Sequence, residues 1–175
     1  MEYVYAPWRG GYVRKKSGPS LNEADPNDCV FCQKLKDTDD VSSFILRRFK
    51  HHAIFLNLYP YVAGHIMIIP NQHVANLADL SPESRRELME LTSACVSLMQ
   101  QELHAGGVNL GMNLGRTAGA GIPGHLHMHV LPRWHGDTNF LPIIAQTKPI
   151  SMDLKLVYQD FKPLFDAIVL AVCPE

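Results

Sequence analysis

The sequence predicts an α+β domain built on a mostly antiparallel sheet. Three observations carry this. The order of elements is strands, one long helix, two strands and a helical tail, not a repeating βαβ alternation. The candidate strands are short, apolar and β-branched, and are bounded by Pro and Gly. A single long stretch, residues 80–107, keeps a helical period. The chain has 175 residues, 46% hydrophobic and 19% charged, which suits one domain with a sizeable core. Its formal net charge of −1, without a basic run, excludes a sequence-independent binder of nucleic-acid polymer. No segment approaches the ~20 apolar residues of a membrane helix. The N-terminus lacks the basic-then-apolar order of a signal peptide, so the expected compartment is the cytoplasm.

Residues 1–28 are rich in Gly, Pro, Asn and Lys and read as an irregular arm, with Tyr3, Tyr5, Trp8 and Tyr12 available for packing. From "FILRRF" the texture changes. "HHAIFLNLYPYVAGHIMIIP" reads as two strands broken at "YPYVAG", where Pro60 and Gly64 supply turn chemistry. The main helix starts at Ser81 as N-cap with Pro82 in the first helical position. Leu88, Leu91, Cys95, Leu98 and Met99 form its core face, and Gly106 and Gly107 end it. "VNLGMNLG" (residues 108–115) is the next strand, then a glycine-rich loop, then a histidine-bearing strand ended by Pro132. After residue 150 the tail reads as helical, broken or kinked near Pro163.

The stretch "GHLHMHVLPRW" carries the chemistry. His125, His127 and His129 alternate with Leu126, Met128 and Val130, so a strand puts the three rings on one face and the apolar side chains on the other. At ~3.3 Å rise per residue the outer two histidines lie roughly 13 Å apart. One ion held by all three is strained, given Zn–N distances of ~2.0–2.1 Å. A division of labour fits better: one ring on a metal or structural partner, one reactive, one assisting. The bland alternative, ordinary histidines on an exposed strand, sits poorly with strict alternation beside a glycine-rich loop.

That loop contains "GAGIPG", which fails as a dinucleotide fingerprint because it opens a strand and contains Pro123. Gly119 and Gly121 instead let backbone amides approach an anion, with Asn113 and Arg116 beside them; a plain flexible connector is the other reading. Cys29 and Cys32 form Cys-x-x-Cys without a thioredoxin-like βαβ context, leaving half a zinc site or two buried thiols. On spacing alone His51, His52, His65, His73 and His125 are all available to complete such a site. Asn57, in an otherwise apolar strand, either satisfies backbone or points at a ligand.

"HLHMHVLPRW" resembles the signature of the histidine triad family, His-φ-His-φ-His-φ-φ with φ apolar, and the similarity extends over roughly residues 44–141. "LNLYPY", "GMNLG" and "HVLPRW-x-GD-x-NF" are most similar to bacterial members acting on diadenosine polyphosphates. The resemblance implies a five-stranded sheet with one main helix and a helical tail, in a single domain of residues 1–175: arm 1–28, core 44–141, tail 150–175. It implies a nucleotide hydrolase or transferase that cleaves at the α-phosphate of a dinucleoside polyphosphate or nucleoside phosphoramidate. His127 would be the nucleophile that forms a nucleotidyl-histidine. His129 would stabilise charge and contact nucleotide, together with Asn57, Asn113, Gly119 and Gly121. A structural zinc would be held by Cys29, Cys32, His73 and His125, and the protein would be a homodimer. The loop departs from the family in lacking its Gln-Ser/Thr pair, with Gly121 and Ile122 near those positions. The acceptor is therefore open between water and inorganic phosphate. A zinc-dependent hydrolase with catalytic metal on the triad, and a non-catalytic purine-nucleotide-binding partner protein, are the competing functions.

Overall fold

A computed structural model describes residues 25–139, 144–145 and 153–170. The aromatic arm, Cys173 and the last residues of the tail lie outside these. Two short helices, α1 (Val30–Lys36) and α2 (Asp40–Ser43), precede strands β1 (Ile45–Arg48), β2 (His52–Leu56) and β3 (Ile66–Pro70). The long helix α3 (Pro82–Gln101), strands β4 (Gly107–Gly111) and β5 (Met128–Arg133), and helix α4 (Leu154–Asp166) follow. The five strands form one sheet in the order β1-β2-β3-β5-β4, and every neighbouring pair is antiparallel. The fold class expected from the sequence is the one observed.

The sheet separates two apolar layers. On one face Leu46, Ile54, Leu56, Ile66, Ile68, Met128 and Val130 pack with Leu88, Leu91, Cys95 and Met99 of α3 and Val157, Phe161 and Phe165 of α4. On the other, Ile45, Ala53, Phe55, Met67 and Ile69 pack with Cys29, Phe31 and Cys32. Successive residues of a strand point to opposite faces, so β2 and β3, covered on both, are buried along their whole length and read as unbroken apolar runs. In β5 the even-numbered residues enter the helix-covered layer, and His129 faces the other side.

Ser81 caps α3 by accepting from the Ser84 amide at 3.1 Å, with Pro82 at the start as expected. The helix stops at Gln101, short of the glycines. The chain reverses at His104, a left-handed residue (φ 51°), and Gly107 already belongs to β4. β4 is shorter than expected, ending at Gly111. Pro132 does not end the histidine strand but lies within it, opposite Val108. β3 pairs only as far as Val130, so beyond that point β5 has a neighbour on one side alone, where a missing amide hydrogen is tolerated. Helix α4 likewise runs past Pro163 to Asp166, giving up the one bond that proline cannot make, while its buried residues Val157, Tyr158, Phe161 and Phe165 pack on the sheet. α1 and α2 went unanticipated: Cys-x-x-Cys does open a helix, with Cys29 at its N-cap, but no strand precedes it among the described residues.

Buried His52 in β2 and Glu87 in α3 join sheet to helix. Nδ1 of His52 lies 2.9 Å from Glu87 Oε1, which also accepts the His51 amide at 2.9 Å. Two donors on one carboxylate oxygen hold this buried charge-capable group in place. No helix among the described residues is long and apolar enough to cross a membrane.

Candidate active site and metal centre

The three triad histidines each take a different partner. β5 begins only at Met128, so of the three histidines expected on one strand His129 alone lies within it, with His125 at a bend and His127 just before the strand. His127 Nδ1 is 2.8 Å from the carbonyl oxygen of His125. A carbonyl accepts only, so Nδ1 carries the hydrogen and the ring's lone pair is on Nε2. The His129 ring lies edge-on to it, centroids 4.9 Å apart. Phe31, from the turn of Cys-x-x-Cys, supplies an apolar wall 5.4 Å from the His127 ring.

A fourth histidine sets the tautomer of His129. The Tyr61 backbone amide donates to His65 Nδ1 at 3.1 Å, and His65 Nε2 lies 2.9 Å from His129 Nδ1. A backbone amide can only donate, so His65 Nδ1 is an acceptor and Nε2 holds the hydrogen. That hydrogen goes to His129 Nδ1, which leaves the His129 hydrogen on Nε2. Of these two neighbouring rings, His127 thus carries the lone pair on Nε2 and His129 the hydrogen. Burial, with the nearby His129 and His127, pushes His65 down to about 3, so His65 itself stays uncharged at neutral pH. The sequence offered His65 only as a possible metal ligand. Its position in an apolar run was the available signal of a buried, partnered ring.

This depression has a stability consequence. Between about pH 6.5 and pH 3 an unfolded His65 binds a proton that the folded one does not. Its contribution is complete above pH 6.5 and lost as pH falls, by about 1.4 kcal/mol per pH unit. Urea unfolding midpoints should fall between pH 7 and pH 5, and His65→Asn should flatten that slope. An equal slope in the variant would refute the assignment.

Cys29, Cys32, His73 and His125 converge from α1, from the segment after β3 and from the start of the triad; their ligand atoms all lie within 4.8 Å of one another. His125 Nδ1 is 3.3 Å from Cys29 Sγ and 3.5 Å from Cys32 Sγ, and His73 Nδ1 is 3.2 Å from Cys32 Sγ. Zn–S of ~2.3 Å and Zn–N of ~2.0 Å in a tetrahedron imply S···N edges of roughly 3.5 Å, so the donor set fits such an ion. His125 Nε2 donates to the Pro70 carbonyl at 2.8 Å, which turns the Nδ1 lone pair toward the sulfurs. Burial and neighbouring Cys29 push the Cys32 thiol up to about 11, the reverse of what a cation at this point would do. Of the other histidines raised by spacing, His52 belongs to Glu87 and His65 to His129.

The nucleotide-contact candidates are less uniform. Asn57 is buried; its Oδ1 accepts the Tyr59 amide at 2.9 Å and its Nδ2 faces His65 Nδ1 at 3.1 Å. It therefore satisfies backbone at the edge of the histidine cluster. Asn113 is half-buried and follows Gly111, which pairs with His129 across the sheet. In the loop, Gly119 has φ +92° and its amide donates to the Arg116 carbonyl at 2.9 Å, within its own turn. Gly121 is half-buried three residues before Gly124.

The five-stranded antiparallel sheet with its three clustered histidines defines the class to which the chain belongs: residues 38–136 match the model of the HIT domain. The chain belongs to the HIT domain family. It is 33% identical over 160 residues to "AP-4-A phosphorylase" of Mycobacterium tuberculosis, a match spanning 89% of this chain and 80% of that protein. It is 33% identical over 97 residues to "Bis(5'-nucleosyl)-tetraphosphatase [asymmetrical]" of Schizosaccharomyces pombe, 55% of this chain and 53% of that one. In fold it resembles a Zn-bound histidine triad family protein from Mycobacterium smegmatis, with TM-score 0.65, 23% identity and coverage of 81% and 96%. The expectation of an enzyme agrees with both relatives' names.

Proposed function

We propose that the protein transfers a nucleotidyl group from a dinucleoside polyphosphate, of the diadenosine tetraphosphate kind, through a covalent intermediate on His127. The observation that carries this reading is a pair of neighbouring rings, centroids 4.9 Å apart, whose partners leave a lone pair on Nε2 of His127 and a hydrogen on Nε2 of His129. Attack forms the Nε2–P bond at the α-phosphate and breaks the bond to the bridging oxygen, which leaves as the nucleoside polyphosphate. The His129 hydrogen meets the charge growing on phosphate oxygen. Asn57, Asn113, Gly119 and Gly121 border the nucleotide, Asn57 chiefly by holding the loop that carries His65. The acceptor then displaces His127 and restores it. Nucleoside phosphoramidates fit the same site, since only the leaving atom changes.

Cys29, Cys32, His73 and His125 would hold a zinc ion whose chemistry is structural, a closed Cys2His2 clamp between α1 and the triad segment. The S···N spacing and the zinc of the M. smegmatis relative support this. The reading includes one HIT domain for the whole chain and a cytoplasmic homodimer. β4, the outer strand, leaves Leu110 and nearby Leu114 exposed, as a surface awaiting a second copy would.

Phosphorolysis is the second reading, favoured by the breadth of the match to the M. tuberculosis phosphorylase. Product analysis on diadenosine tetraphosphate, with and without inorganic phosphate, decides the acceptor. ATP plus AMP in both cases means hydrolysis. ATP plus ADP, formed only with phosphate, means phosphorolysis. Absence of turnover on this substrate and on adenosine phosphoramidate would overturn the proposal in favour of a binding protein.

A further inference from the structure

Gly64, immediately before His65, is where the C-terminal helix meets the loop between β2 and β3. Its φ is +70°, and a Cβ there would lie 3.0 Å from Phe161 Cζ and 3.2 Å from Pro132 Cγ. Only a residue without a side chain lets the Phe161 ring rest against this backbone. Phe161 is buried in α4 and stacks on Phe165, centroids 5.7 Å apart at 23°. α4 is itself tied to β1: the Tyr158 hydroxyl donates to the Ile45 carbonyl at 3.0 Å, and Arg47 Nη1 to the Phe165 carbonyl at 3.1 Å. The outer side of the same loop faces solvent, with Leu58, Tyr59 and Tyr61 exposed. Within the loop, Asn57 accepts the Tyr59 amide and the Tyr61 ring lies 4.7 Å from the His65 ring; at Gly64 the contacts come from Phe161 of α4 and Pro132 of β5.

The next residue along is the imidazole that sets the His129 tautomer, and it accepts from Tyr61 in that same loop. The geometry points to Phe161 as a positioning residue: α4, which lies outside the matched segment 38–136, holds Gly64 and so keeps His65 in register with His129. Misplacement by a fraction of an ångström at a relay of this kind costs rate more than binding, because the His129 donor matters most when charge develops. The kinetic consequence rests on the His127 and His129 reading above; the structural one does not.

The test uses Phe161→Ala and Phe161→Leu in the full chain. Turnover of diadenosine tetraphosphate is measured alongside imidazole 15N resonances of histidine-labelled protein. Phe161→Ala should lower kcat roughly tenfold and change KM less than about twofold. The distinct bare-Nδ1 and protonated-Nε2 signals of His65 should move toward tautomer-averaged positions, with Phe161→Leu between Ala and wild type. A variant with reduced melting temperature but unchanged kcat and an unchanged His65 tautomer would overturn the proposal, leaving Phe161 as packing alone. Should the Ala variant not fold, the Leu variant is judged on the same two readouts. If the wild type turns over nothing, the nucleotidyl-transfer reading fails, while the 15N signals still decide whether Phe161 holds His65.

Discussion

His127→Ala should lower turnover of diadenosine tetraphosphate by roughly four orders of magnitude, because removing a covalent nucleophile leaves only what binding and the remaining donors supply. The variant should fold, since the Nδ1 bond goes to a backbone carbonyl two residues earlier and the packing lost against Phe31 is one contact among many in that layer. Nucleotide affinity should be retained within about an order of magnitude, the ground state depending on many other contacts. The wild type, quenched in acid-free denaturant during turnover, should carry one nucleotidyl group per active chain, and the variant none. Turnover within tenfold of wild type would eliminate covalent catalysis by this residue. His129→Ala should be milder, about a hundredfold to a thousandfold, as for loss of one donor to developing charge.

Removal of metal should act mainly on stability. Chelation at neutral pH should release one zinc per chain by elemental analysis and lower Tm by roughly 10 °C or more, given about 2–4 °C per kcal/mol for a chain of this size and several kcal/mol from a closed structural site. Cys32→Ser and His73→Ala should reproduce the loss, because each removes one of the four converging ligands. Residual activity measured below the new Tm should stay within about an order of magnitude of wild type, since the His127 and His129 rings keep their own hydrogen bonds to the His125 carbonyl and to His65. Activity that vanishes while the fold is intact, and returns only with zinc, would move the metal into the chemistry and favour a zinc-dependent hydrolase. A chain that purifies without metal and shows the same Tm with and without chelator would remove zinc from the account.

Much of this architecture is legible in the sequence. Period-two alternation in "HLHMHV" put the apolar side chains and the imidazoles on opposite faces, and Met128 and Val130 do enter the helix-covered layer. The capping signal at Ser81 and Pro82 located the start of α3, because N-caps act through the nearest amides. Helix ends were less legible: His104 takes the left-handed turn that a glycine was expected to take, with the next amide, of Ala105, returning to the Met99 carbonyl of α3. α1 was missed because seven residues carry too short a period to recognise, and its stability comes from Phe31 and the cysteines packing on the sheet.

The sequence by itself determined the fold class and the alternation that sets the triad histidines against Leu126, Met128 and Val130, because these depend on local period and residue type. Local spacing left open which histidine meets which partner: the resemblance implied His73 and His125 for the cysteines, and tertiary structure alone decided the rest. His73 and His125 reach the cysteines, His52 takes Glu87, and His65 hands its hydrogen to His129. Nothing local distinguishes these rings: each is an imidazole in or beside an apolar strand. Their roles differ because hydrogen bonds and metal-ligand distances are set within a few ångströms in space, between residues up to 96 positions apart in the chain.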